Sequence, residues 1–224
     1  MLNQDAQKDI FKRYCTPYVR KSLNQNFAFE HLQEFIDEIE NIEDFANVVY
    51  IDISDFSEKV KNYSSAQVKD YLNEYYSKTM KYIKRYNGQI DKLMGDGIIV
   101  VFSKVFRQIV SNIDCSNNAC LCCMEIINEL RDSDFETKAS IGHGQLYFCK
   151  TGIEQIYEEY TAVGYPYTLA FRLESIAEKN QILFQNNGLY KRIENINNIY
   201  PWILYTTEEI LKGINSKRIN ILES

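Results

Sequence analysis

Two short apolar stretches, each carrying one aspartate, constrain this chain more than any other feature. Residues 47–53, NVVYIDI, alternate so that Val48, Tyr50 and Asp52 share one face of a strand while Val49, Ile51 and Ile53 share the other. A strand apolar on both faces is normally covered on both. Residues 87–102, NGQIDKLMGDGIIVVF, hold two further runs, 89–93 and 98–102, joined by Met94-Gly95-Asp96-Gly97. The glycines suit a tight hairpin turn, which places Asp96 at a hairpin tip. Two carboxylates delivered by neighbouring strands make a ready site for Mg²⁺, which takes oxygen ligands and keeps room for waters and substrate phosphates.

The rest of the chain reads as elements that would cover such a sheet. Helical spacing runs through residues 8–40, broken at Thr16-Pro17. An amphipathic helix is predicted over residues 65–86, with Val68, Leu72, Tyr75, Tyr76, Met80 and Ile83 inward and Gly88 ending it. A second helix, residues 114–131, is apolar nearly all round at its centre. A long strand over 135–148 is interrupted by Gly142 and Gly144; a polar connection over 149–159 and a short strand over 160–163 follow. Pro166 suits the first turn of a helix reaching about residue 179, with Leu169, Ala170, Leu173 and Ile176 inward. Short strands are predicted over 181–185, 201–205 and 218–222.

No internal repeat or linker interrupts this pattern. The expectation is an N-terminal helical extension, residues 1–44, with a packing or dimerisation role, followed by one domain over residues 45–224. The order βα-ββ-αβ, with antiparallel pairs and two helices sharing one face, points to a ferredoxin-like α+β sandwich.

Composition narrows the function classes. A net charge of −6 without any dense Lys/Arg run argues against nucleic acid and against anionic membranes as partners. No run of eighteen apolar residues and no leader-like N-terminus is present, so a soluble, cytoplasmic protein is expected. Of the six cysteines, three crowd into ACLCCMEII, where helix packing explains them; no CxxC pairing suggests zinc. His31 reads as a solvated helix residue.

Four blocks in order then carry a resemblance. IDISDF is similar to the first metal segment of class III nucleotidyl cyclases, KLMGDGIIVVF to their metal hairpin, YTAVGYPYTLAFRLES to the segment with base-contacting and transition-state residues, and LKGI to the terminal lysine segment. The likeness spans roughly residues 45–223, and FKRYCTPYVRKSL more loosely resembles the helix that often precedes such domains. The resemblance implies the class III cyclase fold and an intramolecular reaction in which the 3′-hydroxyl of a nucleoside triphosphate attacks its own α-phosphorus, releasing pyrophosphate. It implies two Mg²⁺ or Mn²⁺ ions held by Asp52 and Asp96 with help from the Ile53 carbonyl. It makes Arg172 the group that stabilises charge at the α-phosphate and Lys212 the contact to the β- and γ-phosphates. In the family these last two come from the protomer opposite the aspartates, so a homodimer with composite sites is implied. His143, one place after the usual histidine of the family, reads as structural.

Several positions depart from the family pattern. Lys92 keeps the lysine typical of adenylyl cyclases, but Tyr165 stands where its aspartate partner is usual. Thr168 replaces the ribose-orienting asparagine, and Asp55 replaces a glycine beside the metal segment. These changes imply a weaker enzyme or a differently seated substrate. Tyr50 and Tyr165 both narrow a base pocket, which favours UTP or CTP over ATP as substrate. The chain thus resembles the pyrimidine cyclases of bacterial anti-phage signalling, whose product activates a separate effector. An adenylyl cyclase and a non-catalytic nucleotide-binding regulator are the alternatives; a diguanylate cyclase would need a Gly-Gly-acidic turn that is absent.

Overall fold

A computed structural model of the chain describes residues 39–106, 109–153, 156–185, 202–208, 211 and 218–223. The expected N-terminal helices, apart from their last residues, lie outside these, as do His31, Cys15 and the LKGI segment beyond Leu211.

The sheet is built around β1 (Ile42–Ile53), which begins just ahead of the boundary expected at residue 45. It pairs antiparallel with β3 (Gly97–Ser103) on one side and with β4 (Thr137–Ile153) on the other. Outside β3 lies β2 (Gln89–Met94), an edge strand. Outside β4 lie β6 (Gln181–Gln185), parallel to it, then β8 (Arg218–Glu223) and β7 (Ile203–Glu208). The resulting order is β2-β3-β1-β4-β6-β8-β7, and β5 (Tyr157–Val163) pairs with the outer part of β4.

The alternation along β1 sorts the core as expected. Val49, Ile51 and Ile53 join Ile98, Val100 and Phe102 of β3 beneath two helices, α2 (Ser65–Arg85) and α3 (Asn112–Leu130). Cys115, Cys120, Cys122 and Cys123 are free thiols buried on α3, so they serve as small core side chains. Burial of each aliphatic side chain here is worth roughly 1.5–3 kcal/mol. The opposite face, with Ala46, Val48, Ile99 and Val101, is covered near Ala170 by α4 (Tyr165–Glu174). A five-residue helix, α1 (Phe56–Val60), follows β1.

Three boundaries differ from the sequence reading. Gly142 and Gly144 do not break β4, which runs through to Ile153. Residues expected to form a polar connection instead extend β4 and begin β5 as a hairpin, with Lys150, Gly152 and Ile153 exposed on the β4 arm. α2 closes on Asn87, at φ 58, rather than on Gly88, whose N–H bonds back to the Ile83 carbonyl. α4 stops at Glu174 and loosens into short-range turns, in which Ile176 N–H bonds to Leu173 O and Ala177 N–H to Glu174 O. No described helix is long and apolar enough to cross a membrane.

Candidate active site

The last turn of the alternation in β1 brings Asp52 out on the face away from α2 and α3, opposite Lys138 of β4. Asp96 occupies the two-residue turn between β2 and β3, where Met94 pairs with Gly97. Gly95 takes φ 65 as the first central residue, the position that a II′ hairpin turn reserves for glycine. The Tyr76 hydroxyl donates to the Gly95 carbonyl, tying the turn to α2. At Gly97 a Cβ would overlap the Tyr50 ring, so the glycine lets that ring lie against the hairpin.

Asp52 and Asp96 thereby come close enough for the charge of one to act on the other. Burial raises the Asp52 pKa well above the usual carboxylate range, and the negative charges of Asp96 and Glu174 raise it further; Lys138 opposes them. Lys138 is itself engaged with Glu174 at 2.9 Å, so its charge is shared. Burial also raises the Tyr50 hydroxyl, followed by Asp52, Glu174 and Asp96. The corner thus holds an excess of negative charge.

A hard divalent cation fits that corner. The donors are carboxylate oxygens that repel one another until a positive ion is placed between them. Among the described residues no group of three His, Cys, Asp or Glu side chains is assembled to hold a metal. Asp52 and Asp96 would therefore leave positions for the Ile53 carbonyl, waters and phosphate oxygens, the pattern Mg²⁺ prefers.

Beside the carboxylates, one row crosses three strands: Lys92 on β2 pairs with Ile99 on β3, which pairs with Tyr50 on β1. Tyr50 packs edge-on against Phe171 of α4, with ring centroids 5.1 Å apart. The row continues to Ser140 on β4, whose hydroxyl donates to the Ala170 carbonyl. Gly142 allows this approach, because a Cβ there would overlap the Pro166 carbonyl and sit 2.8 Å from the Ala170 nitrogen.

With Pro166, Leu169, Ala170 and Leu173 buried, α4 turns Tyr165, Thr168 and Arg172 outward along one stripe. Within one chain, then, the predicted residues form two sets: Asp52, Ile53, Asp96 and Tyr50 at the metal corner, and Tyr165, Thr168 and Arg172 on the outward stripe. Lys212 lies outside the described residues. His143 faces the Phe45 ring, 6.3 Å between centroids.

Three residues were missed from sequence, Lys138, Glu174 and Phe171, together with a hydrogen bond from the Tyr167 hydroxyl to Asp91 Oδ2 at 2.9 Å. For Asp91 there was a signal, a carboxylate within a predicted strand. For Lys138 there was none, since only the strand register places it opposite Asp52.

A model of the family described as the adenylate and guanylate cyclase catalytic domain matches residues 39–194. An uncharacterized protein of Mycobacterium tuberculosis (strain ATCC 25618 / H37Rv) is 30% identical over 138 residues, 60% of this chain and 25% of the relative. A Mycobacterium bovis protein, also uncharacterized, matches to the same extent, so the chain spans about a quarter of the length of these relatives. Among solved structures, the adenylyl cyclase CyaB from P. aeruginosa aligns with a TM-score of 0.71 and 21% identity, over 82% of this chain and 95% of that one. The guanylate cyclase domain of RhGC from Catenaria anguillulae, in complex with GTP, aligns with a TM-score of 0.68 and 17% identity, over 82% and 98%. At these identities the likeness is one of fold.

Proposed function

The chain belongs to the adenylate and guanylate cyclase catalytic domain family, and from that premise we propose that it converts a pyrimidine nucleoside triphosphate, UTP or CTP, to its 3′,5′-cyclic monophosphate and pyrophosphate. The observation that carries the cyclase reading is the nearness of Asp52, at the end of β1, to Asp96, in the β2–β3 turn, which concentrates negative charge there. Two bound Mg²⁺ or Mn²⁺ ions would supply charge neutralisation at the phosphates and activation of the attacking hydroxyl. Asp52, Asp96 and the Ile53 carbonyl would hold them. Arg172 would donate to the α-phosphate oxygens, Lys212 would bind the terminal phosphates, and Thr168 would orient the ribose.

The exposed stripe on α4 supports a homodimer in which the stripe of one chain completes the metal corner of the other. Exposed apolar side chains accompany that stripe: Tyr165 on α4, Leu93 and Met94 next to the metal turn, and Tyr147 opposite Val163 on the β4–β5 hairpin. Residues 1–44 are taken as an extension that assists pairing, ahead of a catalytic domain over 45–224.

The base preference rests on Tyr50. Its ring fills the space above Gly97 and is held there by Phe171, leaving less room for a fused purine. Lys92, on the same row, favours ATP as the alternative substrate, and the loss of an amide at Thr168 leaves a non-catalytic nucleotide-binding regulator as a third reading. By the resemblance set out above, the cyclic product is a cytoplasmic second messenger of anti-phage defence, read by a separate effector.

Incubating the purified protein with Mn²⁺ and each of the four nucleoside triphosphates tests the reading. Cyclic UMP or cyclic CMP is the expected product. Cyclic AMP as sole product contradicts the pyrimidine preference, and nucleotide binding without pyrophosphate release contradicts the cyclase.

A further inference from the structure

Asp91 is a carboxylate with none of its surface exposed, on an edge strand, between Ile90 and Lys92. Such a group is costly to bury unless it is hydrogen-bonded. Its pairing explains where it points. The register between β2 and β3 slips between Ile90 and Lys92, so Asp91 is the extra residue of a bulge. Simple alternation would send Asp91 and Lys92 to opposite faces of the sheet. The bulge lets Lys92 take its place in the row with Ile99 and Tyr50 while Asp91 reaches Tyr167 on α4, on that same face.

The link spans an unusual gap. α4 rests mainly on β4 and β1, whereas β2 lies outside β3 at the edge of the sheet. Tyr167 bridges from that helix to the edge strand, its ring packed with the cluster around Val48 and Ile99. Its two ends adjoin the residues placed around the nucleoside: Asp91 precedes Lys92, and Tyr167 lies between Tyr165 and Thr168.

We infer that the hydrogen bond between Asp91 and Tyr167 sets the spacing between Lys92 and the Tyr165–Thr168 end of α4, and thereby tunes which base is accepted. This rests on the proposed reading of that face as the base side of a nucleotide site. Both residues act through their neighbours and are positioning residues. A purine and a pyrimidine differ by one fused ring, so a wall shift of about 1 Å is enough to change their ranking.

The test uses the full chain and the variants Tyr167→Phe, Asp91→Asn and Asp91→Ala. Binding of UTP, CTP, ATP and GTP is measured calorimetrically with Ca²⁺, turnover with Mn²⁺, and folding by thermal unfolding. Tyr167→Phe is expected to weaken the preferred nucleotide about tenfold, as loss of a hydrogen bond to a charged group implies, and to narrow its margin over the others. The kcat is expected to stay within about threefold, since the reacting groups are untouched. Asp91→Asn, which keeps an acceptor for the Tyr167 hydroxyl, is expected to retain most of the margin. Asp91→Ala is expected to match Tyr167→Phe, and the two combined to be no worse than either alone.

Unchanged nucleotide ratios in a folded Tyr167→Phe protein overturn the inference. So does a uniform loss across all four nucleotides that follows a drop in thermal stability, which a purely structural bond would give. If the wild type prefers ATP, the pyrimidine reading fails while the pair is still judged by the same ratios. If the wild type binds none of the four, both fall.

Discussion

At the scale of single residues, the tension sits at Asp52. Burial, Asp96 and Glu174 all disfavour its charged form, so its pKa in the folded chain lies above the unfolded value near 4. A raised carboxylate contributes stability that is fully present below the unfolded pKa and is lost as pH rises through the folded value. Metal-free protein is therefore expected to lose thermal stability as pH climbs from about 5 toward neutrality and beyond, and the stabilisation by Mn²⁺ to grow over the same range. Melting curves with and without Mn²⁺ across that range check this, and an Mn²⁺ effect independent of pH would contradict it. Tyr50 belongs to the same scale. Replacing it with alanine removes the ring beside Gly97, and the ratio of ATP to pyrimidine turnover is expected to rise by roughly tenfold, in keeping with pocket-shape discrimination. Product analysis with competing nucleotides reads that ratio; an unchanged ratio would remove Tyr50 from base selection. Asp52, Asp96 and Tyr50 were legible because alternation and the glycine turn fix their faces. The face taken by Lys92 was not, because a one-residue bulge reverses what alternation from Gln89 predicts.

At the scale of elements, the contact between α4 and β4 decides where Thr168 and Arg172 stand. Gly142 permits it, since any Cβ would meet backbone atoms of Pro166 and Ala170 that have no freedom to move aside. Gly142→Ala is expected to cost about 1–3 kcal/mol, the usual range for overpacking, and to lower turnover more than nucleotide affinity as the stripe on α4 is displaced. Urea unfolding and steady-state kinetics measure both; a variant as stable and active as the wild type would show that the helix does not need this contact. The sequence pattern located α2, α3 and the central strands well, since their apolar periodicity reflects burial on one face or both. It failed over the β4–β5 hairpin and at the end of α4. On the outer part of β4, Lys150, Gly152 and Ile153 are exposed, so no burial pattern marks that arm. Beyond Glu174, Ala177 stays buried although the chain has left helical geometry, so the pattern outlasts the helix.

At the scale of the whole molecule, the division of labour is the central claim. α4 packs its apolar side on β4 and turns the Arg172 stripe outward, while Asp52 stands at the end of β1 and Asp96 in the β2–β3 turn. Asp52→Ala and Arg172→Ala chains, each inactive alone, are to be mixed, allowed to exchange subunits and assayed for cyclic nucleotide. With composite sites, random pairing makes half the dimers mixed, each with one intact site of two, so activity is predicted to return to about a quarter of the wild-type value. A mixture no more active than its parents would contradict the composite site.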